Sequence, residues 1–350
     1  MWEEIKIFNK KRVDLKFFFF FLKVMLNSGL NLNRSLIILS KQSREQKVTL
    51  IYQGILKDIE SGLTLAEALS RQAQFTELFT AVVAAGEKSG TLVEVLDSLE
   101  NYYQNKEELQ QEIKKACFYP LTVIITVFLA AVFILKFILP VFIELFDDFG
   151  GELPLITRIL LTLTEFFNNY FLLLIIISIV MFSAIFILFK YKRNDKLKSR
   201  LLLTIPLIST LYQHFILTQL AVYLSLLLKS GLKLISALEL LVDIIKDHQY
   251  REFIKNTTLN ISKGASLTDC FSDSKYIPDL FYYLLMTGEE SAQMETMLER
   301  AGDYYYQKLK NETARMLQYL EPFLITLTAI FVALLAAAVI MPMFQIYLII

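Results

Sequence analysis

Three long apolar segments restrict the architecture of this chain more than any other feature of its sequence. They cover residues 118–146, 170–189 and 321–350. Each contains about 20 mostly apolar residues, the length that an α-helix needs to cross the hydrocarbon core of a bilayer. Apolar residues make up 55% of the chain, but charged residues still make up 20%, so much of the chain must face water. The sequence therefore predicts a membrane protein with three transmembrane helices and water-exposed domains.

Charged residues beside these segments predict how the chain crosses the membrane. Residues 190–200 contain six basic residues and one acidic residue, whereas residues 147–169 contain four acidic residues and one basic residue. Basic residues stay on the cytoplasmic side of a membrane. We therefore expect residues 1–117 and 190–320 to be cytoplasmic and the C-terminus to be outside. The 147–169 loop is then external, and the apolar face of its 153–167 stretch predicts a helix on the outer membrane surface.

An internal repeat relates the two predicted cytoplasmic domains. The sequence SGLNL at 28–32 corresponds to SGLKL at 230–234, and a gap-free shift of 202 residues also aligns many other positions. Apolar residues recur at helical spacing in both copies, and no alternating strand pattern is persuasive. We therefore predict an all-α membrane protein with two homologous cytoplasmic helical bundles, at residues 15–115 and 217–317, and three transmembrane helices.

Aromatic residues are concentrated at both ends of the first copy. The segment at 10–26 places basic residues before five phenylalanines and resembles a secretory signal. Its apolar run is too short to span a membrane and no cleavage site follows, so we predict a buried first helix. Tyrosines at 102–103 and 304–306 could form a docking face, but such aromatics more often fill the core of a bundle or line its edge.

Each copy contains one Gly-Glu-x-Ser motif, at residues 86–89 and 288–291. The first has the glycines and the lysine of a phosphate-binding loop, but their order and the helical segment before them do not fit that motif. We predict that both motifs are turns. Their Glu87 and Glu289 either cap the start of the following helix or contact a partner protein. The candidate residues are Gly86, Glu87, Ser89, Gly90, Gly288, Glu289 and Ser291.

Glycine positions predict where the helices of each bundle end. Gly29, Gly62 and Gly86 lie between periodic segments and are expected to stop helices or form turns. The second copy departs from the first at one such position. Ala292 stands where the first copy has Gly90, which argues against a turn with a positive φ there.

The last helix of each bundle is predicted to continue into the membrane. Thr91 followed by Glu94 fits a capping box, so a helix should begin near residue 92 and run into the first apolar segment. Pro120 lies near the expected membrane surface, where it would kink or restart that helix. Pro322 occupies the same position in the second copy.

These features together resemble the platform family of bacterial type II secretion systems and type IV pili, the F or PilC proteins. The most distinctive are the paired Gly-Glu-x-Ser motifs, YPL at 119–121, and the loop from Gly150 to Arg158. The resemblance covers nearly the whole chain. The short length and the composition of the chain resemble those of the platform of the competence pseudopilus in Gram-positive bacteria.

The resemblance implies a non-enzymatic assembly platform in the bacterial cytoplasmic membrane. A cytoplasmic hexameric ATPase would act on the two helical domains, and pilin or pseudopilin subunits would be lifted from the lipid bilayer into a filament. The platform is expected to be a homo-oligomer, with its N-terminus cytoplasmic and its C-terminus external. The filament could serve pilus biogenesis, secretion or DNA uptake.

Two other function classes compete with a platform. An oligomeric membrane transporter or channel component is the main alternative, but the three apolar segments offer almost no central ionisable residue to line a path. A membrane enzyme is the other, but no nucleophile–base cluster or nucleotide motif is present. The net charge is zero and the two histidines, His214 and His248, are far apart. We therefore expect no nucleic-acid binding, no metal site and no cofactor.

Overall fold

The computed structural model of the protein is helical throughout the regular structure that it describes. It describes residues 13–43, 45–138, 140–141, 206–272, 274 and 276–349. The predicted external loop at 147–169 and the predicted second span at 170–189 lie outside these residues. No strand occurs in the described ranges.

The two copies of the repeat have the same order of helices. In the first copy the helices are α1 (Leu15–Asn27), α2 (Leu32–Gln42), α3 (Gln46–Glu60), α4 (Leu65–Ser70), α5 (Glu77–Ser89) and α6 (Leu92–Phe133), which leads into a π-helical segment (Ile134–Ile138). In the second copy they are α7 (Pro206–Lys229), α8 (Leu234–Ile244), α9 (His248–Ser262), α10 (Leu267–Phe271), α11 (Asp279–Glu290) and α12 (Met294–Ile349). A shift of 202 residues maps α2 onto α8 and α3 onto α9 without remainder, and it maps the first residue of α6 onto that of α12. The predicted duplication is confirmed.

The chain divides into two compact units. The first unit combines Met1–Gln111 with Asp195–Glu312, and the second combines Glu112–Asn194 with Thr313–Ile350. Both helical bundles therefore belong to one unit. Their buried apolar side chains form a single continuous core, which explains why the two bundles hold together.

The aromatic residues of the first unit lie where the sequence placed them. Phe18 and Phe19 of α1 are fully buried, which confirms a buried first helix. The ring of Tyr103 stacks on Phe19 at 5.6 Å, and Tyr305 is only 3% exposed. The tyrosines thus belong mainly to the core, although Tyr304 remains 40% exposed.

The second unit presents apolar side chains on its surface. In α6 the large exposed residues include Phe118, Phe128 and Leu129, and in α12 they include Phe323, which is 63% exposed. Isolated apolar residues are common on soluble proteins, but a helix that is apolar on every side needs lipid or protein around it. These parts of α6 and α12 correspond to the first and third predicted spans.

Three helices in the described part of the chain are long and apolar enough to cross a membrane. They are Leu92–Ala130, Ser209–Lys229 and Met294–Ala333. The second of these lies within α7. Of the residues in its most apolar stretch, 56% are buried inside the protein, compared with 0% and 6% for the other two helices. We therefore treat α7 as a core helix of the first unit and assign the membrane spans to α6 and α12. The chain is an all-α membrane protein with two homologous helical bundles.

Neither predicted proline site interrupts its helix. Helix α6 continues through Pro120 to Phe133, and α12 continues through Pro322. The expectation that these prolines restart a helix is therefore wrong, while a kink at either residue stays a prediction. A transmembrane helix tolerates proline because neighbouring hydroxyl groups compensate for the lost backbone bond.

Candidate functional site

The two Gly-Glu-x-Ser motifs form the last turns of helices rather than separate loops. Gly86 lies inside α5 and is buried, so the prediction that it ends a helix is wrong. A Cβ atom at Gly86 would lie 2.8 Å from Cγ2 of Val95 in α6, and one at Gly288 would lie 3.1 Å from Cβ of Met297 in α12. Both glycines are needed because the helices on either side of the turn approach closely.

Glu87 ties the end of α5 to the beginning of α4. Its carboxylate oxygens accept hydrogen bonds from the backbone N–H groups of Leu65 at 2.8 Å and Ala66 at 3.0 Å. These are among the first amides of a helix, which have no partner within the helix itself. Thr64 and Glu67 complete the N-terminus with a capping box. The expectation of a helix cap is correct in kind, but the capped helix precedes the motif instead of following it.

Glu289 makes the same connection in the second copy. It accepts hydrogen bonds from the backbone N–H groups of Leu267 at 2.9 Å and Thr268 at 2.8 Å, at the start of α10. The Thr268 hydroxyl also donates to the carboxylate. Burial alone would raise the pKa of Glu289, but the hydrogen bonds outweigh it and hold the pKa below its usual range.

The turn after each motif has the same left-handed conformation in both copies. Gly90 has φ 77°, and Ala292, at the equivalent position, has φ 54°. The backbone N–H of Thr91 donates to the Gly86 carbonyl oxygen at 3.0 Å, as that of Gln293 does to Gly288 at 2.9 Å. The absence of glycine in the second copy therefore does not change the turn. The helix-ending hydrogen bond and the close packing of the flanking helices impose it on an alanine.

The first motif also contacts the other bundle. Ser89 Oγ lies within hydrogen-bond distance, 3.1 Å, of the carbonyl oxygen of Ser230 at the end of α7, and it also lies 2.9 Å from the carbonyl oxygen of Ala85 in its own helix. The two bundles meet again where the hydroxyl groups of Tyr102 and Tyr223 lie 3.2 Å apart. Sequence reasoning missed these contacts because nothing in the local pattern shows which surfaces of two packed bundles face each other.

The geometry gives the glutamate of each Gly-Glu-x-Ser motif a structural role. The carboxylates of Glu87 and Glu289 are occupied by backbone amides of their own bundle, so they do not point outward as free anions. The side chains of the neighbouring Lys88 and Glu290 are exposed to solvent. Among the described residues no group of histidine, cysteine, aspartate and glutamate side chains has the arrangement of a metal site.

A comparison with protein families decides what this arrangement belongs to. The family model described as type II secretion system (T2SS), protein F matches residues 18–140 and again residues 220–342. The two matches are separated by the same 202 residues that relate the two bundles. The chain belongs to the type II secretion system protein F family. Each match contains most of one helical bundle, its Gly-Glu-x-Ser motif and most of the apolar segment that follows.

Curated relatives of this F-family chain cover nearly all of it. The type IV pilus assembly protein PilC of Thermus thermophilus is 29% identical over 95% of this chain and 82% of its own length. PilC of Pseudomonas aeruginosa is 27% identical over 96% of this chain and 90% of its own length. The type II secretion system protein F of Vibrio cholerae is 25% identical over 93% of this chain and 80% of its own length. The resemblance noted in the sequence is confirmed at the level of the family.

Proposed function

We propose that this protein is the membrane platform on which a type IV pilus-like filament or pseudopilus is assembled. The observation that carries the proposal is the family match over both bundles and the apolar segments after them. Relatives that match more than nine-tenths of this chain are named for type IV pilus assembly and for type II secretion. The platform has no catalytic role of its own in this proposal, and a separate cytoplasmic hexameric ATPase hydrolyses the nucleotide.

The orientation follows from loop charge. The first unit, with both bundles, faces the cytoplasm and the 147–169 loop lies outside, because the basic residues at 190–200 remain on the cytoplasmic side. The N-terminus is then cytoplasmic and the C-terminus external. The ATPase binds the first unit, while pilin or pseudopilin subunits meet the second unit within the bilayer. The platform works as a homo-oligomer and does not bind nucleic acid directly.

The coupling element in this proposal is the turn after each Gly-Glu-x-Ser motif. It joins α5 to α6 and α11 to α12, and these following helices contain 42 and 56 residues. At a rise of about 1.5 Å per residue, a displacement at the turn is carried along roughly 60 to 80 Å of uninterrupted helix. Glu87 and Glu289 fix each turn to its bundle, so movement of a bundle moves the helix that continues from it.

A double charge reversal tests this coupling. We expect Glu87→Lys with Glu289→Lys to weaken capture of the ATPase and to abolish filament assembly, because a lysine cannot accept bonds from the amides of α4 and α10. The protein should still insert in the membrane, since no span is altered. Single changes should be milder than the pair if both bundles share the load. The matched control is Glu60→Lys with Glu252→Lys, which makes the same charge change at exposed positions of α3 and α9.

Three measurements at equal expression separate the outcomes. Resistance to carbonate extraction reports insertion, pull-down reports ATPase capture, and electron microscopy reports filaments. Capture and filament numbers equal to those of the control pair would limit the two glutamates to a role in stability. ATP hydrolysis by the purified platform alone would contradict the non-enzymatic proposal itself.

A further inference from the structure

The contact between the two bundles joins unlike surfaces of the repeat. Ser89, at the end of α5, bonds to the carbonyl oxygen of Ser230, at the end of α7. A symmetric contact would also join their repeat equivalents, Ser291 and Ser28. Instead, the Ser28 hydroxyl donates to the carbonyl oxygen of Val24 in its own helix at 2.7 Å. The Ser291 hydroxyl donates to the carbonyl oxygen of Thr287, the equivalent of the bond that Ser89 also makes to Ala85 in its own helix. Ser28 is exposed, whereas its equivalent Ser230 is fully buried beneath the other bundle.

The end of α1 exposes a surface whose equivalent, at the end of α7, is buried against the other bundle. In α7, Leu226 is 4% exposed and Ser230 is fully buried. Their equivalents in α1 are Val24, which is 38% exposed, and Ser28, which is also exposed. Phe20, one turn earlier, is 42% exposed. We name the surface formed by Phe20, Val24 and Ser28 the groove face.

The end of α11 is the repeat equivalent of the end of α5, the surface that packs against the end of α7. In the first copy, Ala85 is buried and Ser89 contacts the second bundle. The equivalent of Ala85 in α11 is Thr287, which is exposed, and the equivalent of Ser89 is Ser291, which is exposed as Ser89 also is. Tyr304 follows the same rule, because it is 40% exposed whereas its equivalent Tyr102 reaches Tyr223 of the other bundle. We name the surface formed by Thr287, Ser291 and Tyr304 the tip face.

The groove face borders an unfilled depression in the first unit. This groove has a volume of about 790 Å³ and its lining includes Val24, Ser28, Thr91, Glu94 and Lys229. In the second copy, the residue equivalent to Ser28 is Ser230, and Ser89 of the first bundle contacts it. The groove therefore adjoins the surface that a further bundle would contact if the contact within the chain were repeated.

We propose that a second chain places its tip face on the groove face of the first. Within each chain, the end of α5 packs against the end of α7. The groove face and the tip face are the repeat equivalents of these two surfaces, so they should be complementary to each other, and neither is covered within the chain. A head-to-tail contact of this kind produces a closed ring when the rotation closes and a longer array when it does not. The inference rests on the repeat alone and does not depend on the proposed function.

Cysteine cross-linking between two chains tests the pairing directly. Cys117 and Cys270 are the two cysteines of the chain and are first replaced by serine. Two differently tagged full-length chains are then co-expressed in membranes, one with Ser28→Cys and the other with Ser291→Cys, and treated with a short bis-maleimide. We expect a cross-link between the unlike pair and little between two Ser28→Cys chains or two Ser291→Cys chains. Leu50→Cys with Leu259→Cys is the control, because both leucines are exposed away from the two faces.

An arginine in the tip face provides the second arm. Thr287→Arg in the Ser291→Cys chain should reduce the cross-linking yield about tenfold or more, because the equivalent residue in the contact within the chain is the small, buried Ala85, and a side chain as large as arginine holds the two faces apart. Leu259→Arg in the same chain should leave the yield unchanged. The inference is overturned if Thr287→Arg cross-links at the original rate, or if like pairs form as readily as the unlike pair. Neither arm uses the ATPase or filaments, so a negative result here leaves the platform proposal intact.

Discussion

Replacing Glu87 should loosen helix α4 while leaving the rest of the first bundle in place. The Glu87 carboxylate is the partner of two backbone amides, those of Leu65 and Ala66, at 2.8 and 3.0 Å. Both residues are buried, so water cannot fully replace the carboxylate. Hydrogen bonds to a charged group contribute about 1.5–3 kcal/mol each, and loss of a helix cap costs about 0.5–2 kcal/mol. We therefore expect Glu87→Ala to destabilise α4 by about 2–3 kcal/mol.

Glu87→Gln separates the shape of the side chain from its charge. A glutamine keeps one carbonyl acceptor but loses the second oxygen and the negative charge at the helix N-terminus. We expect a cost of about 1–2 kcal/mol. The matched control is Glu67→Gln on the same helix. Glu67 accepts from the backbone N–H of Thr64 at 2.9 Å in a capping box, a position where glutamine also serves.

Hydrogen–deuterium exchange of the full chain in detergent measures this effect where it arises. A loss of about 1.4 kcal/mol corresponds to a tenfold change in an equilibrium constant, so amides in peptides covering α4 should exchange about 10- to 100-fold faster in the Glu87 variants. The Glu67→Gln chain should exchange like the unmodified protein. Unchanged exchange in α4 of the Glu87→Ala chain would refute the structural role assigned to this carboxylate.

Three further predictions follow from the second motif and the loop charges. Ala292→Gly should raise the stability of the first unit by about 0.5–1 kcal/mol and Gly90→Ala should lower it by about 1–2 kcal/mol, as read from thermal unfolding, because an L-residue is strained at positive φ. The hydrogen bonds from Thr268 and Leu267 hold the pKa of Glu289 below its usual range. Its stabilising contribution is therefore complete above about pH 4.5 and is lost as the pH falls through the folded-state value, and Glu289→Gln should flatten the acid side of the stability curve. A reporter fused after Ser199 should be cytoplasmic and one after Gly151 external, whereas an external reporter after Ser199 would reverse the proposed orientation.

The helical architecture could be predicted because its signals are local or repeated. The 202-residue shift needs only the sequence, and it places both bundles and their order of helices. The buried first helix follows from an apolar run too short for a membrane. The continuity of α6 into the first apolar segment follows from unbroken helical spacing. The expected restart of the helix at Pro120 does not occur, because a membrane helix tolerates proline better than a soluble helix does.

The partner of each motif glutamate could not be predicted in the same way. Glu87 lies at the end of α5, from which a carboxylate reaches either the next helix or one packed alongside. The amides that it binds are 21 and 22 residues earlier in the chain, and only the folded bundle brings them together. Ala292 shows the same limitation, because tertiary packing imposes a turn that residue preference argues against.

The asymmetry between the two bundles is also invisible in the sequence. Ser28 and Ser230 are identical residues at equivalent positions, yet one is exposed and the other fully buried. A repeat predicts that two bundles share a fold. It does not predict which surface of each bundle meets the other, because that depends on the complementarity of whole faces.

The most direct test of the platform proposal is the extraction of pilin-like subunits from the membrane of the source bacterium. The gene for this chain is deleted while the assembly ATPase is retained, and fractionation measures how much of the major pilin or pseudopilin leaves the membrane for filaments. The proposal predicts that extraction stops and that the unmodified chain restores it, whereas the Glu87→Lys, Glu289→Lys chain does not. Extraction that continues at its normal rate in the deletion strain would contradict the proposal.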